Sequence, residues 1–151
     1  MTTDPAIIGY LGRALSLELS AVQQYLSLAR LLEIRCMPEA GAKFRAEGKE
    51  EMEHAERIIG RMLAVGVAPS ASCLRPARLD GSLAQIIQHT VNLETEIVNF
   101  YGQAVAHCYS IQDHENRIFF EALLKEEQQH ASGLLTWWHQ LIGQPLAEPK
   151  K

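Results

Sequence analysis

The chain has 151 residues, of which 47% are apolar and 21% charged, a balance typical of a globular protein rather than a disordered one. Its net charge of −4 gives no indication of nucleic acid or an anionic membrane as a partner. No apolar run approaches the roughly 20 residues that span a bilayer, and the N-terminus lacks a signal-peptide pattern. The three cysteines form no C-x-x-C pair. We therefore expect one cytoplasmic domain, residues 1–151.

Four segments carry helical periodicity, and almost nothing in the chain is typical of a strand. Asp4 and Pro5 predict the start of the first helix, because they suit the N-cap and the first helical position. The sequence "RCMPEAG" predicts the break before the second helix, and Gly143 marks the end of the fourth. The predicted helices lie at about residues 4–34, 39–66, 82–109 and 113–143.

These four long helices predict an all-α four-helix bundle. One connection is long, residues 67–81, and it contains Pro69, Pro76 and Gly81. Fifteen extended residues reach ~50 Å, which exceeds the ~42 Å length of a 28-residue helix. A turn between adjacent antiparallel helices needs far fewer residues. The length therefore favours one long crossover connection that runs along the whole bundle.

A repeat with an offset of 76 residues runs through the helices. The stretch "KEEMEHA" carries Glu51 and His54, and "KEEQQHA" carries Glu127 and His130. The same offset takes "ELSAVQQY" to "ETEIVNFY". The chain therefore reads as two related helical hairpins, each with one Glu on its first helix and Glu-x-x-His on its second.

The repeated polar residues are predicted to meet in the core. In each hairpin the Glu and the Glu-x-x-His lie at nearly equal distances from the turn, and each Glu lies on an apolar helix face, as in the stripe Glu18, Val22, Tyr25, Ala29. Burying four carboxylates costs several kcal/mol each in lost hydration. Proton uptake or a bound cation would offset this cost. Two neutral imidazoles at the same height favour the cation. Two divalent metals, iron or manganese with zinc or cobalt tolerated, would neutralise the charge. The predicted ligands are Glu18, Glu51, His54, Glu94, Glu127 and His130.

Simpler explanations exist for parts of this pattern. One Glu-x-x-His is more often a surface pair, but two copies, each with a Glu 33 residues upstream, argue against coincidence. A metal-free helical adaptor would leave six inward polar groups without compensation. For Tyr25 and Tyr101 two roles stay open, core packing and hydrogen bonding or electron donation at the metals; packing is the simpler.

The order of these six residues on four helices resembles bacterioferritin, over residues 4–143. The resemblance implies a ferritin-like fold with a ferroxidase centre, in which Fe(II) is oxidised by O₂ or hydrogen peroxide and deposited as ferric mineral, for iron storage and detoxification. It implies that Glu18 and His54 hold one of two irons per subunit and that Glu94 and His130 hold the other. Glu51 and Glu127 would bridge the irons, and Tyr25 matches a tyrosine beside the centre.

The resemblance also implies haem b at a two-fold subunit interface, bound by a methionine from each chain. The matching residue is Met52, and Leu19, Val22 and Leu26 would form the apolar wall of the haem pocket. Ordinary interface packing is the alternative for Met52.

The expected partners are iron, O₂ or hydrogen peroxide and further copies of the chain: a 24-mer by resemblance, a dimer at least. Mixed assembly with a second bacterioferritin subunit stays open. One departure concerns the tail, where Pro145 and Pro149 follow Gly143, so we expect the fifth helix of the family to be absent or vestigial. The alternative function is a non-storing di-metal oxidase or peroxidase in a dimer.

Overall fold

The computed structural model describes residues 2–70 and 73–143, and the secondary structure of these residues is entirely helical. The helix boundaries fall within two residues of the predicted ones. The four helices are α1 (Pro5–Ile34), α2 (Pro38–Ala64), α3 (Leu83–Ser110) and α4 (His114–Ile142). None of the helices in these two ranges has the length and apolarity needed to cross a membrane. The prediction about a fifth helix falls on residues 144–151, which lie outside the described residues.

Short polar side chains define where three of the helices begin. The Asp4 carboxylate accepts hydrogen bonds from the first backbone N–H groups of α1. Ser82 forms a capping box with Gln85 at the start of α3, and Asp113 accepts from the backbone of Asn116 in α4. These contacts satisfy N–H groups that have no partner within the helix. Pro38 opens α2 at a position where its missing N–H is harmless.

The two hairpin turns have the same construction. Cys36 and Gln112, 76 residues apart, both adopt a left-handed backbone, with φ of 61° and 59°. The residue after each turn donates a backbone hydrogen bond into the preceding helix, Met37 to Leu32 at 2.8 Å and Asp113 to Cys108 at 2.9 Å. This is a helix C-cap arrangement that reverses the chain tightly. The repeat thus extends to the turns and sets the helices of both hairpins at matching heights.

Contacts across the bundle establish its topology. In α1 and α3, Tyr25 contacts Glu94 and Glu18 contacts Tyr101, so residue numbers rise along one helix as they fall along the other. Helix α1 is therefore antiparallel to α3, and α2 runs parallel to α3. The connection between α2 and α3 must consequently travel the length of the bundle, and the predicted crossover is confirmed.

The crossover lies along the surface of α1. The backbone N–H of Arg75 donates to Ser20 Oγ at 3.0 Å, and Gln24 exchanges two hydrogen bonds with the backbone of Arg78. These contacts hold the connection against the bundle and away from the face formed by α2 and α4.

Candidate metal centre

Four glutamates, one from each helix, are fully buried in the middle of the bundle. Each lies on the apolar stripe of its helix, because neighbours one turn away also face the core: Leu15 and Val22 flank Glu18, and Ile97 follows Glu94. The predicted inward direction of Glu18, Glu51, Glu94 and Glu127 is what the structure shows. Carboxylates in this position lose hydration at a cost of several kcal/mol each.

Two histidines cross-link the hairpins at the same level. His54 Nδ1 lies 2.8 Å from Glu127 Oε1, and His130 Nδ1 lies 2.8 Å from Glu51 Oε1. The two rings are nearly parallel, with centroids 5.7 Å apart and an interplanar angle of 10°. Each imidazole therefore contacts the Glu of the opposite Glu-x-x-His, and the two contacts are copies of each other under the repeat.

Two tyrosines reach the remaining carboxylates. The Tyr25 hydroxyl donates to Glu94 Oε1, and the Tyr101 hydroxyl donates to Glu18 Oε1 at 2.6 Å. Burial first, and the nearby carboxylates second, raise the pKa of both phenols well above the ordinary value, so both remain hydrogen-bond donors. Of the two roles left open for these tyrosines, the structure shows hydrogen bonding. The sequence leaves this role open for both tyrosines, whereas the family resemblance points to Tyr25 alone.

The charge of the centre is shared between carboxylates and imidazoles. Burial alone lowers the pKa of His54 and of His130, but hydrogen bonds to the carboxylates raise it to about 12. Burial raises the pKa of Glu51, Glu94 and Glu127, and the pKa of Glu18 is lowered, since hydrogen bonds to Glu51 and His54 outweigh its burial.

Without a cation, protons on the imidazoles thus offset part of the negative charge. This protonation of the metal-free centre depends on distances to carboxylates of the other hairpin, which the sequence alone does not give.

Four carboxylate oxygens in the centre are left without a hydrogen bond. In each of the four glutamates, Oε2 is buried and accepts no hydrogen bond from the described residues. Buried acceptors in proteins are almost always satisfied, so this cluster requires a partner. Oxygen and imidazole donors together suit iron or manganese. The residues present therefore fit a pair of divalent cations.

The ligand atoms form two overlapping groups, within each of which they lie no more than 4.8 Å apart. We name them the Glu18 position and the Glu94 position. Glu51 and Glu127 belong to both, which is the arrangement expected of bridging carboxylates. The Glu18 position consists of Glu18, Glu51, His54 and Glu127, and the Glu94 position of Glu51, Glu94, Glu127 and His130.

An acidic cavity of about 350 Å³ opens beside the histidines on the face formed by α2 and α4. Glu47 and Glu50 lie close to His130, and Glu126 lies 3.5 Å from His54 Nε2. The acidic run "EGKEEME", which contains Glu47 and Glu50, is interpreted from the sequence as mostly solvated helix surface, with attraction of cations as the alternative. The repeat of Glu50 at Glu126 is a further signal. A larger groove between α1, α3 and the crossover is separate from the carboxylates.

Met52 lies outside this cluster. Its side chain is 48% exposed on α2, one turn after Gly48. Leu26 of α1 packs over Gly48, where a Cβ atom would lie 3.4 Å from Leu26 Cδ2. Met52 and Leu26 therefore share one surface of the α1–α2 hairpin, and Leu26 is itself 38% exposed. A haem-binding role for Met52 stays a prediction.

Comparison with known proteins gives one consistent result. Residues 8–141 match the family model of the ferritin-like domain. Bacterioferritin of Rhodobacter capsulatus is 31% identical over 136 residues, which cover 90% of this chain and 84% of that protein. Bacterioferritin of Brucella melitensis is 29% identical over the same share of each chain.

A solved structure has the same fold. It is Rhodobacter capsulatus bacterioferritin, described with a metal-free dinuclear site and haem iron in a crystallographic special position. It superposes with a TM-score of 0.88 at 27% identity and covers 99% of this chain and 100% of that one.

Cation binding is expected to release protons. A metal bound by His54 or His130 requires a neutral imidazole nitrogen, whereas the raised pKa of each keeps it protonated at neutral pH. Raising the pH towards those pKa values therefore favours the metal, and the apparent affinity for Zn²⁺ should rise by at least about 10-fold per pH unit for each ion, since the raised pKa of Glu94 adds a further proton to release. Calorimetry in buffers of different ionisation enthalpy measures the released protons. An affinity that is independent of pH across the neutral range would contradict the assigned protonation.

Proposed function

The chain belongs to the bacterioferritins, within the ferritin-like family, and from this premise we propose that it stores iron. In this proposal Fe(II) binds at the buried centre, is oxidised there by O₂ or hydrogen peroxide, and leaves as Fe(III) for a ferric mineral inside an oligomeric shell. The chain is then a ferroxidase as well as a storage subunit. Its expected cytoplasmic location stays a prediction.

The observation that carries the proposal is the set of four buried carboxylates with unpartnered oxygens. Two Fe(II) ions would supply the positive charge that this layer requires, and each would meet both carboxylate and imidazole donors. An Fe(II) pair gives up two electrons, which match the reduction of O₂ to hydrogen peroxide or of hydrogen peroxide to water. The carboxylates suit the harder ferric product, because charged oxygen donors favour the higher oxidation state.

The residues of the chain have distinct roles in this proposal. Glu18 with His54, and Glu94 with His130, would each hold one ion at one end of the pair. Glu51 and Glu127, which belong to both positions, would keep the ions close enough to be oxidised together. Protons released by the imidazoles on binding would leave through the acidic cavity, the nearest opening to both rings.

The acidic cavity supports the delivery of cations. Glu47, Glu50, Glu53 and Glu126 line it together with both histidines. A cleft lined by one sign of charge raises the local concentration of the opposite ion. Fe(II) is therefore attracted to the face of the bundle from which the centre is reached most directly.

We also propose that Met52 binds haem between two copies of the chain. The Rhodobacter capsulatus structure is described with haem iron in a crystallographic special position, and an atom in a special position lies on a symmetry element of the crystal. In this chain Met52 and Leu26 form an exposed, partly apolar surface on one hairpin, and a thioether is an established axial ligand of haem iron. A second copy would bring an identical surface and a second methionine.

Removing a shared ligand should abolish rapid Fe(II) oxidation. Since even the outer partners of metal ligands are worth about 10–100-fold, Glu127→Ala should lower the initial rate by at least about 100-fold. The rate is followed by the absorbance of the ferric product after aerobic mixing with Fe(II). Glu121→Ala, which changes a glutamate on the exposed part of the same helix, is the matched control and should keep the wild-type rate. An unchanged rate in Glu127→Ala would rule out this centre.

Iron storage requires a shell, and the size of the particle distinguishes a storage protein from a dimeric oxidase. We expect sedimentation to give a particle of several hundred kilodaltons that keeps far more ferric iron in solution than its centres can bind. A particle of about twice the 16.9 kDa chain mass, from which added iron precipitates, would favour the non-storing oxidase or peroxidase.

The haem assignment is tested by Met52→Leu. The purified wild-type protein should show haem absorption bands, and the variant should lose them while keeping its rate of Fe(II) oxidation, because Met52 lies outside the metal cluster. Met37→Leu is the control, as Met37 is also exposed, at 40%. Full haem content in Met52→Leu would remove Met52 from the site.

A further inference from the structure

A pair of tyrosine–glutamate hydrogen bonds surrounds the metal centre. Tyr101 of α3 donates to Glu18 of α1, and Tyr25 of α1 donates to Glu94 of α3. All four side chains are fully buried. The residues of the first bond map onto those of the second with the 76-residue offset. The carboxylate that completes each metal position is thus held by a phenol from the opposite hairpin.

The hydrogen bond gives the two oxygens of the Glu18 carboxylate different roles. Oε1 accepts a hydrogen bond from the Tyr101 hydroxyl, with the two oxygens 2.6 Å apart, while Oε2 is buried and without a hydrogen bond among the described residues. A glutamate side chain has several rotatable bonds, and ordering it has an entropic cost. Fixing Oε1 in the folded protein means that this cost is met before a cation arrives, and Oε2 is left to bind it.

Packing alone does not account for the Tyr101 hydroxyl. The ring lies in an aromatic cluster with Phe100 and Phe120, at centroid distances of 5.6 and 6.2 Å. A phenylalanine would fill the same space without a buried polar group, which needs a hydrogen-bond partner to avoid a desolvation cost. The partner that the fold provides is a metal-binding carboxylate.

We propose that Tyr101 is a positioning residue of the metal centre, which holds Glu18 in the orientation that binds a cation, as Tyr25 does for Glu94. The assignment rests on the proposed function, since it concerns the same centre. It makes each tyrosine responsible for one metal position: Tyr101 for the Glu18 position and Tyr25 for the Glu94 position.

The test is titration of the metal-free protein with Co²⁺, whose visible absorption reports its coordination. Wild type should bind two ions per chain. Tyr101→Phe keeps the ring and removes one oxygen, so the helical circular dichroism should be unchanged. The metal-free variant should unfold at a somewhat lower temperature, because the buried Glu18 Oε1 loses its hydrogen bond. One of its two ions should bind about 10–100-fold more weakly, the usual effect of losing an outer partner of a metal ligand, with an altered absorption spectrum. Tyr10→Phe, in the same aromatic cluster, is the control and should match wild type.

A second background identifies the position affected. In Glu94→Gln, which leaves the Glu18 position with all four of its ligands, adding Tyr101→Phe should weaken the remaining ion, whereas adding Tyr25→Phe should not. Unchanged affinity and spectrum in Tyr101→Phe would overturn the assignment, and so would equal weakening by both tyrosine variants in the Glu94→Gln background. Failure of the wild type to bind a pair of Co²⁺ ions would instead overturn the proposed function itself, and the Tyr101 assignment with it.

Discussion

The burial of four carboxylates in one layer of the bundle is the constraint on which the other features depend. A domain of this size is stable by about 5–15 kcal/mol in total, and each uncompensated carboxylate would cost several kcal/mol of it. Each of the four glutamates accordingly has one oxygen held by a hydrogen bond from a tyrosine or a histidine. The second oxygens remain available, which is why this layer is both the least favourable part of the core and the part able to bind cations.

The crossover connection brings the tyrosines to the glutamates. Tyr25 follows Glu18 by seven residues, which is about 10 Å along a helix. In a bundle with α1 parallel to α3, and with Glu18 and Glu94 at one height, Tyr25 would lie level with Tyr101 and far from both carboxylates. Because α1 and α3 are antiparallel, the hydroxyl of each tyrosine instead reaches the glutamate of the other helix. The topology thus determines how the metal ligands are oriented.

The extent to which sequence predicted this structure follows from the same geometry. Helix ends depend on local residues such as Asp4 and Ser82, and the direction of the six inward residues depends on their spacing along single helices. Both could therefore be predicted from the sequence. The heights of the ligands were equally consistent with either bundle topology, and the partners of Tyr101 and His54 depend on which helices are antiparallel. Helical periodicity therefore does not predict the protonation of the imidazoles or the contacts of the tyrosine hydroxyls, because both depend on distances between hairpins.

The two halves of the repeat match closely inside the bundle but differ at its surface. The difference makes the charge around the two histidines unequal. Arg57 forms an ion pair with Glu126 beside His54, but the position 76 residues further on is Gly133, which provides no side chain to pair with Glu50 beside His130. Glu47, which also lies by His130, corresponds to the buried Leu123. The His130 side of the acidic cavity thus carries an additional carboxylate and lacks the matching arginine. Since a cation is drawn to the less compensated carboxylates, we expect Fe(II) in the proposed function to approach the two similarly built metal positions unequally, from the His130 side.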